Sequence, residues 1–227
     1  MQINVDTGNI LAAGCCVCQH AGVKYFSTMP QRPYHHGNLR DTLLQGALRA
    51  IAELGPAAFT LREVARRAGV SHNAPYRHFR DKDALLAAVA AQGFRELTHA
   101  MREAAKPQSN ALDKLKQSGL AYVAFAVRRP EHFTVMFDAP VCSKDDPEYV
   151  RASEESFNTL VTFIRNCQQE GQLPVGNTME RALYAWSLVH GIAKLAVAGR
   201  FPFQSKAAMM KFAKFAIDES VQNHLPT

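Results

Sequence analysis

Between Phe59 and Lys82 the chain reads FTLREVARRAGVSHNAPYRHFRDK, and few folds accommodate such a block. Thr60 and Glu63 stand at capping-box spacing, where the threonine oxygen accepts from the amide of residue 63 and the glutamate reaches back to the cap amide. Phe59 and Val64 fall where a hydrophobic staple belongs. These signals predict a helix from Leu61 on which Leu61, Val64, Ala65 and Ala68 share the apolar face and Arg62, Arg66 and Arg67 turn toward solvent or a polyanion. Gly69 is expected to end it in a left-handed conformation. Ser71 is the expected cap of the next helix, with Pro75 in its first turn, where a missing amide donor costs little.

That second helix is short and its composition is wrong for a core element. His72, Asn73, Tyr76, Arg77 and His78 offer donors or aromatic faces, while mainly Ala74 and Phe79 offer apolar packing. A helix-turn-helix presents such a helix to the major groove, where amide and imidazole groups bond base edges and basic neighbours meet phosphates. Asp81 then caps a third helix that starts at Lys82. Charge points the same way: of a formal net charge of +6, the stretch from Arg32 to Lys82 carries +5 and everything from Asp83 onward carries +1. An isolated charge run reads as a solvated face, but coincidence with two caps and a glycine turn favours nucleic acid.

With YHHGNLRDTLLQGALRAIAELGPAAFTLREVARRAGVSHNAPYRHFRDKDALLAAV, the segment Tyr34 to Val89 resembles the N-terminal domain of the TetR family of transcriptional regulators. The most specific parts are Thr60 to Ala65, Ala68 to Ser71, and Tyr76-Arg77-His78-Phe79 followed by Lys82. One departure is Pro75, where many relatives carry an aliphatic residue. The resemblance implies an all-α chain of about nine helices. A three-helix DNA-binding domain is joined by a long fourth helix to a helical effector-binding and dimerisation domain. It also implies a homodimer on a double-stranded, two-fold symmetric operator, most often as a repressor. Arg62, His72 and Asn73 would lie near base edges, and Thr60, Tyr76, His78 and Lys82 on the phosphate backbone; Ser71 and Arg77 complete the expected DNA-binding set. Domain limits follow at 34–82 for the DNA-binding part and 83–223 for the rest.

Leu43, Ala47, Ala50, Ile51 and Leu54 recur at helical spacing in the first helix, and the one from Lys82 carries Leu85, Leu86, Val89 and Phe94 toward a boundary near Ala105. Further helices are expected from Ala111 to Arg129, where Pro130 stops the run, from Glu148 to Glu170, from Met179 to Ala198 and from Lys206 to Val221. A short apolar segment, His132 to Phe137, lies between the first two of these. The Met179 to Ala198 stretch is apolar nearly all round, which marks a buried central helix. The last two helices also suit a four-helix dimer interface.

Within this half, Ala121 to Ala126, Arg129 to Phe133, Met136-Phe137 and Trp186-Ser187-Leu188-Val189-His190-Gly191 resemble the C-terminal domain of a TetR branch named for its Trp-His-Gly signature. Trp186 and His190 lie one turn apart on one face, and Gly191 permits close approach of another helix. Together with Phe94, Tyr122, Phe125, Met136 and Phe137 they form a candidate lining for a pocket that takes a small apolar or aromatic effector. The simpler reading of aromatic and methionine residues at helical spacing is core, and both readings stay open here.

Cys15, Cys16 and Cys18 form a C-x-x-C with an extra thiol, followed by His20. A metal- or redox-sensing helical protein is therefore the alternative, although the chain supplies no further ligands at metal spacing. Against it, residues 1–30 show no helical periodicity and read as a disordered leader or an upstream extension of a frame whose functional start is Met29. No cofactor or metal site is expected. A nucleotide-binding glycine loop, H-E-x-x-H and G-x-S-x-G are all missing, so catalysis is not expected. No apolar run reaches a membrane span and the start lacks the pattern of a secretory signal, from which a cytoplasmic location follows as the expectation.

Overall fold

A computed structural model of the chain describes residues 39–138 and 146–222. The described residues are all-helical: eight α-helices and one 3-10 turn, with no strand. Helix α1 (Leu39–Ala58) and α2 (Leu61–Ala68) are followed by a 3-10 turn at Pro75–Arg77 and by the long α3 (Lys82–Ala105). The body adds α4 (Ala111–Arg128), α5 (Pro130–Phe137), α6 (Pro147–Gln169), α7 (Thr178–Val197) and α8 (Lys206–Gln222). The Cys15, Cys16, Cys18 and His20 cluster and the leader lie outside the described residues. Among the described ones no group of three or more His, Cys, Asp or Glu side chains could hold a metal. No described helix is long and apolar enough to cross a membrane.

Side-chain oxygens start most of these helices where the chain supplies an Asx or Thr. Thr60, Asp81, Asn110, Asp146 and Asn177 each accept from a first-turn amide. Each such cap contributes about 1 kcal/mol by taking up a donor that has no helical partner. Helix α1 breaks internally at Gly55, whose φ of 76° is open only to glycine at low cost, and Pro56 restarts the helix. Leu54, expected on the core face, stands just before that break and is 45% exposed. The segment His132 to Phe137 is a helix, with Pro130 at its first position instead of only ending the previous one.

One apolar cluster runs from Leu43, Ile51, Val64 and Phe79 at the head through Leu85, Val89 and Leu97 of α3 to Val123, Phe133 and Ile217 in the body. Helix α3 is the shared spine, packed on α1, α4, α5 and α6. At Gly93 its bare backbone takes Met136 of α5, whose Sδ would lie 2.5 Å from a β-carbon there. A smaller cluster of Leu115, Ile164, Cys167 and Leu173 closes the far end. Burial among these apolar side chains pushes the Cys167 thiol up to about 12, so it stays protonated and serves as a small core residue.

Helix α7 is not the buried central helix that its composition predicts. Only Ala182, Val189, Ile192 and Ala193 are buried, while Met179, Leu183, Tyr184 and Leu195 are 44–51% exposed. One apolar face packs on α4 and a second is left outward, which an all-apolar helix allows and a periodicity count does not reveal. Gly191 lies on the outward face, and among the described residues nothing comes within 4 Å of a β-carbon built there.

Candidate DNA-reading surface and effector cavity

In the head, Thr60 accepts from the Glu63 amide at 3.2 Å, and Gly69 at φ 69° closes α2 with the Val70 amide donating to the Ala65 carbonyl at 3.0 Å. The other half of the expected capping box is replaced. Glu63 holds Arg66 at 2.7 Å and Arg67 at 2.6 Å instead of reaching back to the cap amide. These arginine bonds, Arg66 first, bring its carboxyl down to about 2. Arg67 also reaches Glu53 at 2.7 Å, and Arg49 donates to the Arg67 carbonyl at 3.1 Å, so Arg67 ties α2 to α1. It is not turned to a polyanion as expected. Two acidic partners satisfy the planar guanidinium better than water does.

The recognition element departs from the expected helix. Pro75 has no amide to return to the Ser71 carbonyl, so the Ala74 amide takes that carbonyl at 2.9 Å in a tighter turn. The His78 amide then donates to Pro75, again three residues back. Ser71 is therefore a backbone acceptor, and its side chain caps nothing. Ala74, Pro75 and Phe79 are buried, and the remaining side chains of the stretch, Ser71, His72, Asn73, Tyr76, Arg77, His78 and Arg80, face solvent. Arg62 and Arg77 make no ion pair among the described residues, whereas Arg66 and Arg80 have acidic partners. Lys82 donates to the Ala57 carbonyl at 2.6 Å and lies 4.6 Å from the Phe59 ring centroid, which leaves two of its N–H donors for a phosphate.

A half-open cavity of about 390 Å³ lies between α3, α4, α5, α6, α7 and α8. Among the described residues no charged side chain lines it. Of the residues expected there, Phe94, Tyr122, Phe137 and Trp186 form its walls. Phe125 and Met136 do not, because both are spent in the main core, Met136 on the bare Gly93 backbone. His190 stands behind the wall. Burial lowers its pKa, and Lys194 adds to this, which keeps the ring neutral. The Tyr122 hydroxyl and His190 Nδ1 share a hydrogen bond at 2.8 Å, and the hydroxyl accepts from the Trp186 indole N–H at 3.3 Å. Phe137 packs edge-on against the His190 ring with centroids 4.7 Å apart. Burial also raises the Tyr122 pKa, which keeps it a neutral donor. The histidine therefore orients the lining and does not face the cavity.

The sequence reading missed Phe157, Leu160 and Leu97 as walls, and with them four serines, Ser118, Ser153, Ser156 and Ser220. Ser118 and Ser156 sit on buried helix faces, a polar residue in an apolar stripe being the one signal that was available. The hydroxyls of Ser118, Ser153 and Ser220 donate to carbonyls of their own helices.

Comparison with known proteins covers both halves. Residues 43–89 match the family model described as bacterial regulatory proteins, tetR family, and residues 115–219 match the tetracyclin repressor-like C-terminal domain. An HTH-type transcriptional repressor of Mycobacterium tuberculosis, Rv3405c, is 47% identical over 47 residues, 21% of this chain. That match spans only 25% of the length of the curated relative. Among solved structures, a protein of unknown function from Rhodococcus sp. RHA1 is 34% identical, with a TM-score of 0.75 over 86% of this chain and 100% of its own. A tetR-family bacterial regulatory protein from Rhodococcus RHA1 shares the fold at a TM-score of 0.67 and 19% identity, over 84% of this chain and 98% of its own.

Proposed function

This chain belongs to the TetR family of transcriptional regulators, and on that premise we propose that it is a homodimeric repressor of a palindromic operator, released by a small apolar ligand. The observation that carries the DNA-binding half is the stretch from Ser71 to Arg80, in which seven polar side chains face solvent over three buried anchors. Arg62, His72 and Asn73 read base edges, and Thr60, Tyr76, His78 and Lys82 hold phosphates, with Ser71 and Arg77 beside them. The head comprises residues 34–82 and the body 83–223, within a cytoplasmic protein. The effector binds beside Trp186, in a body of the Trp-His-Gly branch. It acts by favouring a dimer whose two recognition turns are wrongly spaced for successive major grooves.

The dimer forms through α7 and α8. Leu183, Tyr184, Leu195 and Phe215 expose 44–60% of their surface, and Ser187 and Gly191 on the same face of α7 let a second helix come close. Selection of bound duplexes from random DNA by the purified chain tests the whole reading. The expected product is an inverted repeat whose affinity falls steeply with salt and is abolished by Arg62→Ala with Tyr76→Ala at unchanged helicity. Recovery of no preferred sequence, or unchanged binding by the double variant, overturns it.

A further inference from the structure

The Trp186 cavity has a neighbour of different chemistry. A second cavity of about 320 Å³ shares Leu115, Ala185, Ser220 and Val221 with it, so the two volumes adjoin across a common wall. Their chemistry differs. Among the described residues the first has no charged lining residue, whereas Asn177, Glu180 and Arg181 line the second. Arg181 is partly buried and makes no ion pair or side-chain hydrogen bond among the described residues. Its Nη2 and Nε lie 3.8 and 3.9 Å from where a β-carbon would stand on Gly176, so the guanidinium folds over the loop between α6 and α7. A guanidinium held partly out of water with no counter-ion is a donor fork awaiting an anion. Glu180 is exposed, where water and salt screen its charge.

We propose that the two cavities form one site for an amphiphile, with its uncharged apolar body beside Trp186 and a carboxylate head held by Arg181. The planar guanidinium matches a carboxylate through two parallel bonds, which an alcohol cannot supply. This inference rests on the reading of the Trp186 cavity as the effector site and replaces a wholly apolar effector by one with a single anionic end.

Trp186 is the one tryptophan in the chain and lines the first cavity, so its fluorescence reports occupancy directly. The intact protein is titrated with dodecanoate, dodecan-1-ol and dodecylamine, each below its micellar concentration. Dodecanoate is expected to bind about tenfold tighter than the alcohol, as a charge-assisted hydrogen bond gives. Arg181→Gln should bring dodecanoate to the level of the alcohol and leave the alcohol unchanged, which also shows that the variant is folded. Equal binding of acid and alcohol, tighter binding of the amine, or a carboxylate preference that survives in Arg181→Gln overturns the head-group assignment while the effector cavity stands. If none of the three compounds perturbs Trp186, both the assignment and the reading of the cavity fall.

Discussion

The recognition stretch and the effector cavity solve opposite problems with similar residues. From Ser71 to Arg80 polar groups point outward and Ala74, Pro75 and Phe79 hold them in place; at the cavity, the lining residues Tyr122 and Trp186, with His190 behind them, satisfy one another. DNA is large and regular, so an exposed surface can read it, and nearly every exposed residue in the stretch is free to do so. A small molecule must be surrounded, so its site needs walls from six helices far apart in the chain. The same contrast separates the arginines. Arg62 is displayed, whereas Arg67, with 13% of its side chain exposed, is structural.

The largest effect expected from breaking this contrast is at an anchor. Phe79→Ala removes a side chain that is 3% exposed and should cost about 3–5 kcal/mol, measured by urea denaturation, with DNA binding lost because the head unfolds. Tyr76→Ala, three residues earlier and 53% exposed, should leave the Tm nearly unchanged and weaken DNA binding alone. A stable Phe79→Ala protein, or a destabilised Tyr76→Ala one, would erase the distinction between anchor and display.

Next come the spine and the two arginines. Gly93→Ala drives a β-carbon into Met136 and should destabilise by about 1–3 kcal/mol, read from the shift of the urea midpoint. Arg62→Ala should lower operator affinity by roughly 10- to 100-fold at unchanged Tm, measured by fluorescence anisotropy of a labelled duplex. Arg67→Ala should do the reverse in kind: a lower Tm, with any loss of DNA binding recovered at low temperature.

The smallest effect separates the halves by pH. Burial lowers the pKa of both His132 and His190 from 6.5, so between their folded values and 6.5 the unfolded chain binds more protons and stability falls as the pH is lowered through that window. Glu63 is depressed from 4.5 to about 2, so its contribution is complete above 4.5 and is lost only as the pH falls from there toward 2. Mild acid should therefore loosen the body before the head. Amide exchange at pH 6.0 against 7.5 checks this, with α5 and α7 expected to lose protection while α2 keeps it.

The head was legible because its instructions are local. Thr60, Gly69 and Asp81 act within four residues of themselves, and the structure places each where the spacing requires. What spacing concealed there was chemistry between helices, as in the capture of Arg67 by Glu53, and the loss of one amide at Pro75, which turns a helix into a 3-10 turn. In the body, helix positions were readable but facing was not. Phe125 and Phe137 are both aromatic residues near the ends of apolar helices, yet one is core and the other is cavity wall. Only the packing of α3 and α6 on either side decides that. Likewise α7 has more apolar surface than one core can bury, and composition does not say which face stays outside.

The central claim is that the head and the Trp186 cavity are two ends of one equilibrium. Any ligand that changes Trp186 fluorescence should be titrated with and without the selected operator, and the operator titrated with and without that ligand. The account predicts the same factor in both directions, since coupling between two binding sites is reciprocal. A ligand that fills the cavity and leaves operator affinity untouched would contradict it.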